Sequence, residues 1–301
     1  MRKTFCCLLL AMPMLCVICA CMGKTKPEVI INDDGTTSDG SPYLSIDDEN
    51  FYLDAVKYSV EDGHLLVTGY DTAHIKGQAR IASGISYRGT AYPVCRIGRK
   101  AFANCNNLTA VTIPASVTSV GEWAFQNCRN LASATISKGV QRLESGVFYG
   151  CTSLASVTIP TSVTAIEDWV FWNCCALTSV DIPSGVTTIN RAAFQECTGL
   201  TAITIPPSVT TICESAFWGC SSLKSIDIPA SVTTIKHLAF AHCPGLTNVN
   251  CRIKQLSEAT IDDTMLRGDS LNFITLRVPS SAIEEYRKSE PWKRVSRIEG
   301  L

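Results

Sequence analysis

The sequence predicts a β-rich solenoid, in which short coils of chain stack into a rod. Three columns of identical residues carry this prediction. Phenylalanine recurs every 23 residues through seven units, and cysteine and leucine keep the same interval from Cys105 to Cys243 and from Leu108 to Leu246. The phenylalanines are Phe102, Phe125, Phe148, Phe171, Phe194, Phe217 and Phe240. A fixed period sustained over this many units is the signature of a repeat architecture.

Each unit opens with a strand whose alternate side chains face the interior. In the first unit Val111 and Ile113 point inward and Thr112 points outward, because successive side chains of a strand lie on opposite faces. A proline ends the strand in five units, where its missing amide donor costs no ladder hydrogen bond. These prolines are Pro114, Pro160, Pro183, Pro206 and Pro229, and Ser137 takes the place in another unit.

The rest of each unit returns the chain to the next strand. Val117 and Val120 line this return path, and Phe125 closes the coil from the opposite wall. One coil alone cannot bury these apolar groups, so neighbouring coils are expected to cap one another. Parallel pairing at about 4.8 Å per coil would make seven coils a rod of roughly 35 Å.

Residues 51–95 are predicted to form an N-terminal β-hairpin cap, ahead of a repeat region at 96–251. Residues 56–70 alternate apolar and polar side chains around Asp62-Gly63, a dipeptide that favours a tight hairpin turn. Residues 85–94 hold further strand-forming side chains and lead into the first coil.

Residues 252–301 are predicted to cap the last coil with a strand and a short helix. The last strand is expected at residues 276–279. Ser281 and Glu284 have the spacing of a capping box, which predicts a helix that runs from there to about Ser289. A cap of this kind would give the end coil the polar outer face that a solenoid needs.

The first 20 residues have the parts of a secretory signal peptide. A basic start at Met1-Arg2-Lys3 precedes an apolar run that ends at Cys21. The run contains Pro13 and is shorter than the ~20 apolar residues of a membrane-spanning helix. The stretch Ile18-Cys19-Ala20-Cys21 resembles a bacterial lipobox, which implies that Cys21 is acylated and becomes the new N-terminus. Simple secretion and an uncleaved anchor are the alternatives.

Residues 21–50 are predicted to be a flexible tether between the lipid and the cap. The segment is rich in glycine, serine, threonine and aspartate. Its few apolar groups offer little burial to offset the chain entropy lost on ordering.

The composition and motifs favour a non-enzymatic protein. The formal net charge is −1, from 26 basic and 27 acidic residues, which argues against a basic nucleic-acid groove or a polybasic membrane patch. The sequence has no G-x-S-x-G, H-E-x-x-H or glycine-rich phosphate loop. His237 and His242, beside Cys243, come closest to a zinc set but lack a second ligand pair. We therefore predict no catalytic, cofactor-binding or metal-ligating residue.

The 16 cysteines are the unusual feature of the composition. Seven of them form the repeat column, where in-register stacking would hold neighbouring Cβ atoms about 4.8 Å apart. A disulfide wants roughly 3.8 Å between Cβ atoms. We therefore predict that the column consists of small, buried, unpaired thiols.

The residues described so far resemble a known family. The unit C-x-x-L-x-x-V-x-I-P-x-S-V-x-x-I-x-x-x-A-F is similar to the BspA-like, or Treponema-type, leucine-rich repeat of bacterial surface proteins, over about residues 97–246. Ordinary leucine-rich repeats carry asparagine at a position that is serine or glycine here, a departure typical of the BspA-like class. These residues are Ser116, Gly139, Ser162, Gly185, Ser208 and Ser231. The resemblance implies a leucine-rich-repeat solenoid of about seven coils and attachment to host matrix proteins, other bacteria or polymers.

Two surfaces are candidates for binding a ligand. The first is the outward row of the strands, here called the strand face, which is rich in hydroxyl groups. It comprises Thr112, Thr135, Thr158, Asp181, Thr204 and Asp227. It is flanked by Thr109, Ser133, Ser156, Thr178, Thr201 and Ser225. Threonine also simply favours exposed strands, so residue type alone does not establish a site.

The second candidate surface, here called the aromatic flank, lies beside the phenylalanine column. It comprises Trp123, Tyr149, Trp169, Trp172 and Trp218. Trp169 and Trp172 are three residues apart, so a helical turn would place them side by side. Exposed aromatic clusters mark binding sites, although these rings could equally pack between coils.

The function that the sequence favours is that of a surface-exposed, adhesin-like lipoprotein that binds a protein or another polymer through its repeats. The alternatives are a glycan-binding accessory lipoprotein of a polysaccharide uptake system and a structural protein of the envelope. Open aromatic ring faces would favour sugars, whereas a bare threonine and serine face would favour protein. We expect a monomer that is lipid-anchored to the outer membrane, meets the membrane only through this lipid and binds no nucleic acid.

Overall fold

The computed structural model describes residues 29–31, 37–38, 43–45, 49–87, 89–268 and 271–301. The predicted signal peptide and the predicted lipidation site Cys21 lie outside the described residues. In the part of the chain that is described, no helix is long and apolar enough to cross a bilayer.

The N-terminal cap is built from eight strands. Its strands are β1 Val29–Ile30, β2 Tyr43–Ser45, β3 Asn50–Leu53, β4 Val56–Glu61, β5 His64–Tyr70, β6 Gly77–Arg80, β7 Gly84–Tyr87 and β8 Thr90–Ile97. Strands β4 and β5 pair antiparallel, and both turn residues have positive φ, 46° at Asp62 and 79° at Gly63. The predicted hairpin is therefore confirmed.

The expected tether at 21–50 requires a correction at its C-terminal end. Strand β1 pairs parallel with β7, with Val29 opposite Ile85, and β2 pairs antiparallel with β3. Val29 is only 1% exposed and Ile31 is also buried. These short apolar runs gain enough burial in the cap to order the chain, although the polar residues around them suggested a tether.

Two sets of parallel strands, each called a ladder here, follow the solenoid axis and confirm its predicted architecture. The first contains β9 Leu108–Ile113, β11 Ser133–Ile136, β13 Ser156–Thr158, β15 Ala202–Thr204, β17 Ser225–Ile228, β19 Asn248–Cys251 and β21 Thr275–Val278. The second contains β10 Ser119–Val120, β12 Arg142–Leu143, β14 Thr188–Ile189, β16 Thr211–Ile212, β18 Thr234–Ile235 and β20 Thr260–Ile261. Within the repeats, partners stand 23 residues apart, as in Val111 opposite Ala134.

The solenoid has about nine turns rather than the seven that the repeats alone contain. Both caps continue the coils. At the N-terminal end β6 pairs with β9, and β8 pairs with β10. At the C-terminal end β21 pairs with β19. These added coils depart from the 23-residue spacing, so periodicity could not reveal them.

The third wall of each coil carries the phenylalanine column. Coils are joined there by backbone hydrogen bonds such as Phe125 N to Val147 O, at 2.9 Å. All seven phenylalanine rings are buried and stack on one another with centroids 5.0 to 5.7 Å apart. The column is therefore one continuous stack along the axis.

The repeat cysteines form a column of buried free thiols. From Cys128 onward, each Sγ donates to the carbonyl oxygen of the phenylalanine 26 residues earlier, at 3.0 to 3.3 Å. Burial raises the pKa of Cys105 to about 11 and that of Cys243 to about 12. These thiols are therefore protonated at neutral pH and act as packing groups.

The serine or glycine that replaces asparagine in this repeat has a structural reason. Ser162, Ser208 and Ser231 each donate a hydroxyl hydrogen bond to a valine carbonyl oxygen of the preceding coil, at 2.6 to 2.7 Å. At Gly139 a Cβ atom would lie 1.8 Å from the carbonyl oxygen of Ala115. The coils approach too closely here for a longer side chain.

The C-terminal cap differs from the expectation in two respects. Helix α1 spans Ile283–Lys288 and begins after a 3-10 turn at Ser280–Ala282, so its N-cap is Ala282, with no side-chain cap. The predicted capping box at Ser281 is therefore wrong. The strand at Thr275–Val278 is also not the last one, because β22 Arg297–Gly300 pairs parallel with it.

Apolar anchors explain why the C-terminus folds back. The remaining 3-10 turns are Leu256–Glu258, Leu271–Phe273 and Trp292–Arg294. Trp292 and Tyr286 are fully buried, and Tyr286 donates its hydroxyl hydrogen bond to the carbonyl oxygen of Ile253, at 2.9 Å. Burial of the two aromatic rings holds helix α1 and the last strand against the final coil.

Candidate binding surfaces

The structure places the strand face on the outside of the first ladder. Thr112, Thr135 and Thr158 lie opposite one another in register, and Asp181, Thr204 and Asp227 form a second run. All are exposed except Asp227, which is half-buried. The row also continues at both ends, through Asn250 at the regular interval of 23 and through three cap residues whose spacing differs from 23. These additional members are Arg80, Asn250, Arg277 and Glu299.

The flanking positions are correct in kind but mixed in register. Ser133 lies opposite Ala110, one residue after Thr109. In the same way Ser225 lies opposite Ala202, one residue after Thr201. The flank is therefore two adjacent columns, since the repeats differ in which of the two positions carries the hydroxyl group.

The hydroxyl groups of the strand face are not used by the solenoid itself. Thr201 of the flank donates to the carbonyl oxygen of Thr178 in the preceding coil, at 3.2 Å. Within the described residues the structure gives no such partner to the side chains of the strand-face threonines. Those threonines are Thr112, Thr135, Thr158 and Thr204. Their hydroxyl groups face solvent and are available to a ligand.

Most charges of the strand face are paired within it. Asp227 accepts hydrogen bonds from Arg252 and Asn250, both at 3.1 Å, and Arg277 lies 3.4 Å from Glu299. The carboxylate of Asp181 is exposed and has neither a hydrogen bond nor an ion pair among the residues that the structure describes. The row is thus hydroxyl-rich, with one free carboxylate near its middle.

The aromatic flank is a set of rings stacked between coils. Tyr149 stacks on Trp172 with centroids 4.3 Å apart, and Trp123 stacks on Trp169 at 5.9 Å. Arg191 lies over the ring of Trp169, 4.3 Å from its centroid. Stacking therefore runs along the solenoid axis, instead of within one turn as the spacing of Trp169 and Trp172 suggested.

A glycine allows Trp123 to reach a ring two coils away. Gly146 holds the position equivalent to Trp123 and Trp169 in the coil between them, with φ at 66°. A Cβ atom on Gly146 would lie 2.1 Å from the indole ring of Trp123. The missing side chain at this position thus leaves the space in which Trp123 lies.

Stacking covers part of the ring surface of the aromatic flank, whose five residues are all half-buried. Trp169 has Trp123 and the Arg191 guanidinium against its ring, and Trp172 has Tyr149. Trp218 stands apart, against His242 at 5.2 Å between centroids. Sugar recognition by aromatic side chains needs an open ring face, which these stacked rings offer poorly.

One polar cluster lies away from both surfaces, around Thr264. Thr264 lies between His237 and Asp262, with its hydroxyl oxygen 2.8 Å from His237 Nδ1. The Thr264 hydrogen bond lowers the pKa of Asp262. A nucleophilic triad needs the imidazole in the middle position. Across the described ranges, no group of three or more histidine, cysteine or acidic side chains could hold a metal ion.

Comparison with known proteins identifies the type of repeat. A family model described as a BspA type leucine rich repeat region matches six copies, over residues 90–201 and 166–287. A search of curated proteins finds no match.

Solved structures share the fold. A leucine rich cell surface protein from Faecalibacterium prausnitzii is 26% identical with a TM-score of 0.61, covering 80% of this chain and 73% of that chain. The T. pallidum leucine rich repeat protein is also 26% identical, with a TM-score of 0.57, covering 64% of this chain and 88% of its own. A leucine-rich repeat protein from Bacteroides ovatus is 19% identical with a TM-score of 0.52, covering 85% and 76%.

Proposed function

Because this chain belongs to the BspA-type leucine-rich-repeat family, we propose that it is an adhesin-like lipoprotein that binds a protein ligand through its strand face. The family, with a cell surface protein among the similar structures, indicates a role in protein interaction and a place in the cell envelope. The proposal adds the face, the class of ligand and the lipid anchor. A solenoid suits such a role because it repeats one surface many times.

The row of free hydroxyl groups is the observation that carries the proposal. Thr112, Thr135, Thr158 and Thr204 have no hydrogen-bond partner among the described residues, and register aligns them along the axis. A ligand can therefore make several equivalent contacts, whose individual weakness is offset by their number. Small side chains also keep the face flat, which suits a protein surface better than a small molecule.

The structure gives less support to glycan binding at the aromatic flank than the aromatic composition of the flank did. Its rings stack on one another and on Arg191, so part of the ring surface that a sugar would need is already in contact within the chain. The flank accordingly stabilises the solenoid in our proposal. A purely structural role in the envelope remains the third candidate, and it predicts no saturable ligand at all.

The lipid anchor and the location follow from the N-terminal sequence. The proposed acylation at Cys21 would tether the solenoid to the outer membrane, and residues 22–28 would then link the lipid to strand β1. Binding without catalysis is part of the same proposal, since the surfaces described above offer contacts and no reacting group.

A surface-charge experiment tests the proposal. The full chain and a Thr158→Lys, Asp181→Lys, Thr204→Lys variant are applied to an array of purified extracellular-matrix proteins and glycans. We expect saturable binding of the parent to a protein and its loss in the variant. Thermal stability should change by under ~0.5 kcal/mol per site, because these side chains are exposed.

The control for this experiment is a variant of the aromatic flank. Trp169→Ala with Trp172→Ala leaves the strand face intact and should retain protein binding. Binding that survives the three lysines but is lost with the two tryptophans would contradict the proposed face. Binding of the parent to glycans alone would contradict the proposed class of ligand.

A further inference from the structure

The first ladder is interrupted at its middle, at a seam defined here by residues 156–159 and 179–182. Strand β13, Ser156–Thr158, pairs with β11 but is the edge of its four-stranded sheet. The next coil joins the following sheet instead, through a bridge between Asp181 and Thr204. Within the described residues, no strand pairing connects the two sides of the seam.

The seam is confined to the strand face. Beside it, Ile166 bridges to Ile189 in the second ladder. On the third wall Phe171 stacks on Phe194, with ring centroids 5.3 Å apart. The same two coils are therefore joined on two walls, and only the pairing of the first ladder is interrupted between them.

The interrupted ladder leaves hydrogen-bonding groups without a ladder partner. The edge of a sheet presents backbone amide and carbonyl groups of this kind. The inward-facing Val157 and Ile159 are half-buried, and Val180 and Ile182 on the other side of the seam are buried. What the seam offers a ligand is therefore polar.

Asp181 stands at this seam and carries the free carboxylate of the strand face. Its row neighbours are Thr158 across the seam and Thr204 on the other side. Both are neutral. Asp227, two coils further, is already paired with Arg252 at 3.1 Å. The unbalanced negative charge of the row is therefore concentrated at the one place where the ladder is open.

We propose that the protein ligand inserts an arginine or lysine side chain at the seam, against the carboxylate of Asp181. The inference rests on the proposed function and specifies the chemistry of the partner. A carboxylate accepts two parallel hydrogen bonds from a guanidinium. Unpaired backbone carbonyl groups at the edge of strand β13 would accept the remaining hydrogen bonds of the same basic group.

A metal ion fits the seam less well than a basic side chain. Calcium takes 6–8 oxygen ligands in proteins, usually from several carboxylates. Asp181 is the one carboxylate of the seam, and its neighbours are hydroxyl groups. A guanidinium or ammonium group needs fewer acceptors than a calcium ion does.

The test uses a phage-displayed library of short random peptides selected on the immobilised full chain. Parent protein should enrich peptides that contain arginine or lysine, relative to the unselected library. Asp181→Asn removes the charge and keeps the shape, so the enrichment should disappear. Asp263→Asn is the matched control, because it makes the same chemical change on an exposed residue away from the strand face.

A synthetic copy of the most enriched peptide then gives affinities. We expect binding about tenfold weaker with Asp181→Asn and unchanged with Asp263→Asn, as for a close charge pair across an interface. Equal affinity for both variants, or no enrichment of basic residues, overturns the inference. If the three lysine substitutions at Thr158, Asp181 and Thr204 abolish peptide binding while Asp181→Asn does not, the strand face stands and only the basic anchor fails. If none of these changes affects peptide binding, both proposals fail.

Discussion

Truncation of Phe171 to alanine tests whether the phenylalanine column is the shared core of the solenoid. Phe171 is fully buried and stacks between Phe148 at 5.7 Å and Phe194 at 5.3 Å. Removal of a buried phenylalanine ring costs about 3–5 kcal/mol. Loss of two ring stacks places this position in the upper part of that range, because each stack adds about 0.5–1.5 kcal/mol to simple burial.

Guanidinium unfolding followed by circular dichroism measures this loss. A domain has about 5–15 kcal/mol of stability in total, so Phe171→Ala should shift the midpoint strongly to lower denaturant. Coils are coupled mainly to their neighbours, so the transition should also broaden or divide. Phe240→Ala should cost less, since the ring at that end of the column stacks on Phe217 alone among the phenylalanines.

Phe273→Ala is the matched control for this experiment. Its ring is 75% exposed, so the same chemical change should alter stability by under ~0.5 kcal/mol. A Phe171→Ala protein that unfolds at the midpoint of the parent would show that the column is not the shared core. Equal losses at Phe171 and Phe273 would refute the reasoning from burial.

Four further predictions follow from the same features. Cys21→Ser should abolish metabolic labelling with a fatty acid, and equal labelling of parent and variant would contradict lipidation there. Alkylation after unfolding should find the repeat cysteines as free thiols by mass spectrometry, and a bridge between consecutive ones would overturn the spacing argument. Burial holds the pKa of Cys174 well above its ordinary 9.0, so the unfolded chain loses that proton first, and stability should fall above about pH 9, with about 1.4 kcal/mol lost through Cys174 at pH 10. Cys174→Ala should reduce this alkaline slope, and an unchanged slope would contradict the assignment. Gly146→Ala should displace Trp123 and change the near-ultraviolet dichroism of the tryptophans, whereas an unaltered spectrum would show that the stack does not depend on the glycine.

Periodicity was sufficient to predict the coils because stacking repeats the same physical requirement every 23 residues. Val111, Phe125 and Cys128 lie where their columns predicted, each buried against its equivalent in the next coil. The strand-face residues also emerged from the alternation of a strand, since Thr112 must point away from the core if Val111 points into it. These predictions needed no information beyond the repeat.

Features outside the period were harder to predict. Strand β22 lies at another spacing, and its position depends on the burial of Trp292 rather than on a repeated motif. Val29 joins the cap by pairing with Ile85, and the polar residues around Val29 gave no sign of this pairing. Trp123 contacts Trp169 across the coil between them, because Gly146 in that coil has no side chain. This contact involves three successive coils, so the sequence of one repeat unit could not predict it.

The departures from the repeat are therefore the places where this chain can differ from a generic solenoid. The stacking of coils requires an apolar residue at each inward position, which explains valine and phenylalanine there. It does not determine which residue occupies an outward position. Threonine at such a position suits a strand, whereas aspartate is disfavoured there. Asp181 replaces a threonine of the row, and within the described residues it has no partner to offset that cost. A residue that weakens its own strand and stabilises nothing nearby is best explained by a contact outside the chain. Among the residues of the row, Asp181 rather than a neutral neighbour is therefore expected to distinguish one ligand from another.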